Sequence, residues 1–196
     1  NWKSPSSAPV SAACAWPSSC WHKASGALPS SRRAPRWTAR AEPAAARLPG
    51  IERFAGKVVW VTGASSGIGR ALARAFDQAG ALLILSGRDE AALQAVRQGC
   101  RAPGNVHLAP FDLGLVDAIP RQVEAVLARW DHVDYMVHNA GVALRGRMVE
   151  TPLDLDQRVM ATNYFGPIAL TKALLPSMLA RGSGHFVVVS SLSGKY

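Results

Sequence analysis

The stretch KVVWVTGASSGIGRALARAF, residues 57–76, changes character twice along its length. Its apolar run at residues 57–63 is rich in β-branched side chains and ends in Gly63, which is typical of a buried strand. From Ile68 onward, apolar side chains such as Leu72 and Phe76 recur at helical spacing, and Gly80 follows as a stop. The stretch therefore predicts a strand, a glycine-rich turn and a helix in direct succession.

The turn TGASSGIG, Thr62–Gly69, has the composition of a phosphate-binding loop. Gly63 permits a tight turn, Gly67 lets the backbone approach a ligand closely, and Gly69 lets the helix pack against the sheet. Free N–H groups at the helix start favour a pyrophosphate. The alternative is a tight connection without a ligand, which the strand–turn–helix context disfavours. The predicted contacts of a dinucleotide are Gly63, Ser65, Ser66, Gly67, Ile68 and Gly69.

Strand-like and helical patterns alternate through the rest of the chain. Strands are predicted at residues 81–87, 105–113, 133–141 and 185–191, and helices at residues 89–99, 116–130 and 156–182. Gly166, Pro167 and Pro176 are expected to bend or interrupt the last helix. Right-handed crossovers between such strands give a parallel sheet with helices on both faces. The predicted fold class is α/β, a Rossmann-type doubly wound parallel sheet within a nucleotide-binding domain at residues 51–196.

Residues 1–50 show no such pattern. They hold nine Ser, seven Pro and twelve Ala, and they cannot bury enough apolar surface to offset the entropy of ordering. Poor in acid and rich in Arg and Ser, the segment resembles an organellar transit peptide. Because the chain starts at Asn1, upstream or mistranslated sequence is an equal alternative. We expect a disordered or targeting-like segment and a cytoplasmic protein, or an organellar one if this is a transit peptide.

The charge and the cysteines exclude several classes of function. The net charge is +9, but residues 1–50 hold five Arg and two Lys against one acid, so a nucleic-acid partner is not expected. Cys14, Cys20 and Cys100 fit neither a zinc site nor a redox pair, so we expect free thiols and no metal. Since no run approaches 18 apolar residues, no transmembrane segment is expected in this chain.

Four motifs, in order, resemble those of the short-chain dehydrogenases/reductases. TGASSGIG is similar to the cofactor signature of that family, and HNAG (138–141) is similar to its Asn-Asn-Ala-Gly strand end. TNYFGPIALTKALLP (162–176) resembles its central helix and VVVSSLSG (187–194) its serine strand. The resemblance covers residues 54–196, and RVMATNYFGPIALTKALLPSM is especially similar to the branch called dehydrogenase/reductase member seven. It implies an oxidoreductase that interconverts a small-molecule carbonyl and an alcohol by hydride transfer.

The strand-end residues indicate the cofactor. Where a carboxylate would bind the ribose 2′-hydroxyl of NAD, strand two is followed by Gly87 and then Arg88. A guanidinium there can bind a 2′-phosphate, so we predict NADP(H), although a solvated loop charge is the alternative for Arg88. The resemblance further implies contacts to the cofactor from Asp112, Leu113, Asn139, Ala140 and Gly141. His138 departs from the usual Asn, and we interpret it as structural.

The resemblance implies Ser191 as the serine that orients the carbonyl and Asn163 as the asparagine that supports a proton relay. The family's tyrosine, followed four residues later by lysine, is expected about thirteen residues after Ser191. Lys195 and Tyr196 have neither that order nor that spacing, and Tyr135 and Tyr164 are not followed by such a lysine. We therefore expect a domain truncated at its C-terminal side, with an incomplete sheet and little activity.

Three functions stay open on these observations. The first is an oxidoreductase whose chain is incompletely recorded, and a homo-oligomer through the central helix is implied if it is complete. The second is a non-catalytic nucleotide-binding module that keeps the phosphate turn. The third is a non-functional translation fragment.

Overall fold

The computed structural model describes residues 51–144 and 146–191. Predictions about residues 1–50, including those on Cys14 and Cys20, lie outside these residues, as do those about Lys195 and Tyr196. The strands are β1 (Val58–Thr62), β2 (Leu82–Ser86), β3 (Val106–Leu108), β4 (Tyr135–His138) and β5 (His185–Val188). The helices are α1 (Gly67–Gln78), α2 (Glu90–Gln98), α3 (Ile119–Trp130), α4 (Leu153–Met160) and α5 (Gly166–Arg181).

The five strands form one sheet in the order β3-β2-β1-β4-β5, and every neighbouring pair is parallel. The predicted α/β doubly wound fold is therefore confirmed. The chain runs outward from β1 to β3 and then returns to place β4 on the other side of β1. This reversal opens a crevice at the carboxyl ends of β1 and β4, where doubly wound sheets bind their ligands.

Two apolar layers cover the sheet, because the side chains of each strand alternate between its faces. On one face Trp60, Ile84 and Met136 pack against α3 and α5, and on the other Val59, Val61 and Leu83 pack against α1 and α2. All five residues of β1 are buried. The strand that carries the phosphate turn is thus held from both sides.

All five strands are shorter than the sequence patterns predict, and three of them end at least three residues early. The prediction of a strand at residues 105–113 was wrong beyond Leu108: the Ala109 N–H still donates to the Leu85 carbonyl at 3.0 Å, but Pro110 has no N–H to continue the ladder. The strand predicted at residues 133–141 ends at His138, since the next two N–H groups donate to a side chain. The strand predicted at residues 185–191 ends at Val188.

The helix predicted at residues 156–182 begins earlier and is interrupted elsewhere than expected. It starts at Leu153, and a π-helical segment, Ala161–Phe165, separates α4 from α5. Pro176 lies inside α5, which continues to Arg181 and ends at Gly182 in the left-handed conformation. Of the three residues expected to interrupt the helix, Gly166 and Pro167 therefore follow the break directly and Pro176 does not cause one.

A buried carboxylate holds the amino-terminal end of the sheet. Asp134 Oδ2 accepts from the Val58 N–H at 2.9 Å, and Oδ1 accepts from the Arg181 guanidinium at 3.1 Å. The Asp134 carbonyl also accepts from the His185 N–H. One residue thereby joins the starts of β1, β4 and β5 to the end of α5.

Over the described parts of the chain, no helix is both long and apolar enough to cross a bilayer. The same residues contain no cluster of three or more metal-ligating side chains. Cys100 is buried and not part of a disulfide.

Candidate functional site

The crevice at the carboxyl ends of β1, β2 and β4 is a cavity of about 480 Å³. Eleven of the twelve residues predicted to bind a cofactor line it: Gly63, Ser65, Ser66, Gly67, Ile68, Arg88, Asp112, Leu113, Asn139, Ala140 and Gly141. They come from four separate segments of the chain, which the parallel strands bring to one edge of the sheet. The structure thus brings these predicted residues together in one place.

Gly69, the twelfth residue, does not line the cavity. It is buried in the first turn of α1, where a Cβ atom would collide with the Gly63 carbonyl oxygen and lie 2.5 Å from Asn139 Nδ2. Gly63 itself has a φ of +65°, and a Cβ there would lie 2.8 Å from Ala140 Cα. The two glycines therefore let the turn, the start of α1 and the end of β4 approach each other closely.

The start of α1 is suited to an anion. Ser66 is the N-cap residue, but its side chain makes no capping hydrogen bond. N–H groups in the first turn of a helix have no intrahelical acceptor and carry the positive end of the helix dipole. Because Ser66, Gly67 and Ile68 all line the cavity, this end of α1 can hold a phosphate group.

Thr62 and Asn139 lock the ends of β1 and β4 together. Thr62 Oγ1 donates to the Val137 carbonyl at 3.2 Å and accepts from the N–H groups of Asn139 and Ala140, each at 3.1 Å. In return, Asn139 Nδ2 donates to the carbonyls of Thr62 and Gly63. The side chain of Asn139 thus fixes the phosphate turn, and Asn139, Ala140 and Gly141 line the cavity.

Asn163 lies in the π-helical segment and not on the cavity wall. Its Oδ1 accepts from the Val142 N–H and its Nδ2 donates to the Val142 carbonyl, both at 2.8 Å. The side chain therefore fixes the loop that follows β4. The neighbouring Thr162 lines the cavity, so the π-helical segment turns consecutive side chains toward different partners.

Ser191 lies three residues beyond the end of β5, is exposed, and does not line the cavity. Because β5 pairs with β4 in parallel, Ser191 follows its strand at the same edge of the sheet as Asn139, Ala140 and Gly141, outside the cavity lining. Its predicted role in orienting a carbonyl stays a prediction.

His138 ends β4 beneath the crevice. Its Nε2 is hydrogen-bonded to Thr171 Oγ1 on α5 at 2.9 Å, and its ring stacks on Phe186 of β5. Burial lowers the pKa of His138 to about 4, so the imidazole is neutral near pH 7. Its buried contacts agree with the structural role predicted for it.

Several residues of the cavity were not among the predicted contacts: Thr62, Ser86, Gly87, Phe111, Val142 and Thr162. Thr62 and Ser86 are the last residues of β1 and β2, and they stand opposite each other in the strand register. Each is a polar residue that directly follows an apolar run, and this pattern in the sequence could have predicted that both line the cavity.

Comparison with known proteins identifies the architecture. Residues 57–196 match the short chain dehydrogenase family. Dehydrogenase/reductase SDR family member 7B from Bos taurus is 49% identical over 145 residues, which are 70% of this chain and 45% of that protein. Dehydrogenase/reductase SDR family protein 7-like from Drosophila melanogaster is 45% identical over 148 residues, or 72% of this chain and 45% of that protein.

Solved structures agree. A metagenomic short-chain oxidoreductase in complex with NADP superimposes with a TM-score of 0.69 at 36% identity, over 73% of this chain and 65% of that one. A short-chain dehydrogenase from Streptomyces avermitilis gives a TM-score of 0.68 at 38% identity, over 72% of this chain and 51% of that one. The chain spans about half the length of the curated relatives it matches. By its sequence, strand order and phosphate turn, this chain belongs to the short-chain dehydrogenase/reductase family of oxidoreductases.

Proposed function

We propose that the protein binds NADP(H) in the crevice cavity and serves hydride transfer between a small-molecule carbonyl and its alcohol. The observation that carries the proposal is the cavity itself, which is lined by both the phosphate turn and Arg88. The fit of a dinucleotide is supported by the uncapped start of α1 and by the close approach that Gly63 and Gly69 permit.

The preference for NADP(H) over NAD(H) rests on the charges that follow β2. Arg88 is exposed, lines the cavity, and makes no ion pair with any described residue. Asp89 is the nearest carboxylate in sequence, but it caps α2 by accepting from the Ala92 N–H at 2.9 Å and does not line the cavity. A free guanidinium at this place favours a phosphate on the ribose.

Affinity for the two cofactors tests this preference. Calorimetric titration of the 196-residue chain is expected to show tighter binding of NADP⁺ than of NAD⁺. Arg88→Ala should weaken NADP⁺ binding at least tenfold and change NAD⁺ binding little, because only NADP⁺ carries the 2′-phosphate. Arg121→Ala, an exposed arginine on α3 outside the cavity, is the matched control. Equal losses for both cofactors in Arg88→Ala would contradict the assignment.

The reduction of a carbonyl needs both a hydride and a proton. The nicotinamide cofactor supplies the hydride when it is bound, and the protein must orient the carbonyl and deliver the proton. We assign the orienting role to Ser191, while Asn163 holds the loop after β4 through its two bonds to Val142. These 196 residues contain no Tyr-x-x-x-Lys, so we propose that they bind cofactor without efficient turnover.

A second candidate is a nucleotide-binding module without catalysis, which the phosphate turn and the cavity would serve equally well. An assay of NADPH oxidation with a panel of aldehydes and ketones separates the two. Turnover by the purified 196-residue chain at a rate comparable to that of the full-length relatives would refute the proposed loss of activity. Cofactor binding without turnover by a chain extended to include the tyrosine and lysine would instead favour the module.

We further propose a homo-oligomer formed through α4, the π-helical segment and α5. Tyr164, Phe165 and Leu179 are each at least half exposed there, so a subunit contact along this run would bury large apolar side chains. Sedimentation velocity of the purified protein should show a species larger than a monomer, and Leu179→Glu should reduce it.

A further inference from the structure

A second cavity, of about 360 Å³, adjoins the crevice cavity. The two share four lining residues: Arg88, Asp112, Val142 and Thr162. Beyond these, the second cavity is bounded by α4 and the π-helical segment after it, by the loop after β4, and by the turn after Asp112. It therefore lies at the side of the proposed cofactor site where Arg88 and Asp112 stand, away from the phosphate turn.

The wall of the second cavity is mostly apolar. Leu115, Leu144, Leu155 and Val159 line it, and Leu115 and Leu144 are 64% and 39% exposed. Covering such side chains removes apolar surface from water, which is favourable. A ligand with a hydrocarbon body would cover this surface.

Two arginines give the same cavity a positive charge. Arg158 lines it from α4, and its ion pair with Asp154, at 3.3 Å, joins two side chains that are both more than two-thirds exposed. Exposed pairs of this kind are weak and leave the guanidinium available to another anion. Arg88 has no ion pair among the described residues, and Asp112, the acid on this wall, already accepts from the Gly114 N–H at 2.8 Å.

We propose that this cavity binds a small amphipathic monoanion, a carboxylate on a hydrocarbon chain, with the carboxylate held by Arg158 and Arg88. An apolar wall with a few convergent polar groups is the usual composition of a ligand site, and a guanidinium matches a carboxylate in geometry and charge. Because Arg88 is also assigned to the 2′-phosphate, which rests on the proposed function, the monoanion and NADP(H) compete for it. Occupation of the second cavity thus lowers the affinity for NADP(H) more than that for NAD(H).

The test is a calorimetric titration of the 196-residue chain with sodium octanoate, and with 1-octanol as the uncharged probe. Octanoate is expected to bind saturably and more tightly than 1-octanol. Arg158→Gln should weaken octanoate binding at least fivefold, Arg158→Lys should restore part of the affinity, and Arg121→Gln should leave it unchanged. Arg158 is exposed and lines the second cavity but not the crevice cavity. Its variants therefore report on the second cavity and leave the proposed cofactor site unchanged.

Saturable binding that is equal in wild type and Arg158→Gln, or no saturable binding, overturns the proposal. The coupling is measured by repeating the titration with NADP⁺ present, where octanoate should bind several-fold more weakly than with NAD⁺ present. If both cofactors leave octanoate affinity unchanged although each binds, the shared use of Arg88 is overturned. A chain that binds octanoate through Arg158 but binds neither cofactor refutes the proposed function and leaves the second site supported.

Discussion

At the scale of single residues, Gly69 shows that the phosphate turn leaves no space for a side chain at the start of α1. A Cβ at this position would collide with the Gly63 carbonyl, which is backbone and cannot rotate away. We expect Gly69→Ala to lower the free energy of unfolding by about 1–3 kcal/mol, the usual range for overpacking, and to weaken NADP⁺ binding strongly. Urea unfolding and calorimetry on the same preparation measure both effects.

Gly104→Ala is the matched control, since a Cβ at Gly104 would meet no atom within 4 Å. It should leave the stability and the cofactor affinity close to those of the wild type. Wild-type affinity in Gly69→Ala would show that the turn can move, against the close packing described above.

His138 is one residue through which the stability depends on pH. Its pKa is lowered by burial to about 4 in the folded protein, against an ordinary value of 6.5, so the unfolded chain binds the proton more readily. The stability is therefore full above pH 6.5 and falls as the pH drops toward 4. We expect a loss of about 2 kcal/mol between pH 7 and pH 5 from this residue.

Urea unfolding at the two pH values measures this loss, and His138→Asn removes the titrating group. The slope between pH 7 and pH 5 should flatten in the variant, whatever its stability at pH 7. Asp134 acts at lower pH: burial tends to raise the pKa of its carboxyl, but the Val58 N–H, Arg181, His132 and Lys57 together hold that pKa below its ordinary value. If the free energy of unfolding of His138→Asn fell between pH 7 and pH 5 as much as that of the wild type, His138 would not be the cause of the loss.

At the scale of elements, the π-helical segment between α4 and α5 positions the loop after β4. The two hydrogen bonds from Asn163 to Val142 cross from this segment to the cavity wall. Asn163→Ala removes both bonds and frees the loop, so we expect NADP⁺ to bind several-fold more weakly with a loss of stability of about 1–2 kcal/mol.

Gln157→Ala, on the exposed surface of α4, is the control for the change in helix composition. Calorimetry and urea unfolding should show it close to wild type. A loss of stability without any loss of cofactor affinity in Asn163→Ala would mean that the segment serves the fold and not the cavity.

The secondary-structure elements also show how much of the fold sequence patterns can predict. Hydrophobic runs and glycine stops predicted all five strands and the helices, because burial on both faces of a parallel sheet leaves long apolar runs. The ends of the strands depended on other contacts. Thr62 Oγ1 takes the two N–H groups after β4, and this bond joins residues more than seventy positions apart, which no local pattern can reveal.

At the scale of the whole molecule, the doubly wound topology explains why the predicted contacts gather. Four segments meet at the carboxyl edge because all strands are parallel and β4 lies beside β1. Eleven predicted residues line one cavity because parallel strands bring their carboxyl ends to one edge of the sheet. The family resemblance indicated which residues at those ends to expect. Thr162 escaped prediction because the direction of its side chain depends on the π-helical segment, and the pattern favoured a regular helix there.

The hydrogen bonds of Thr62 and Asn139 that join β1 to β4 have a consequence for which substitutions the sequence can accept. Thr62 and Asn139 supply the side chains, but every group that they bond is main chain, which is present whatever residue occupies the position. Neighbouring side chains can therefore be exchanged without loss of these bonds, provided that the close approaches at the glycines are kept. A scaffold of this kind can keep the geometry of the phosphate turn while the side chains around it are replaced.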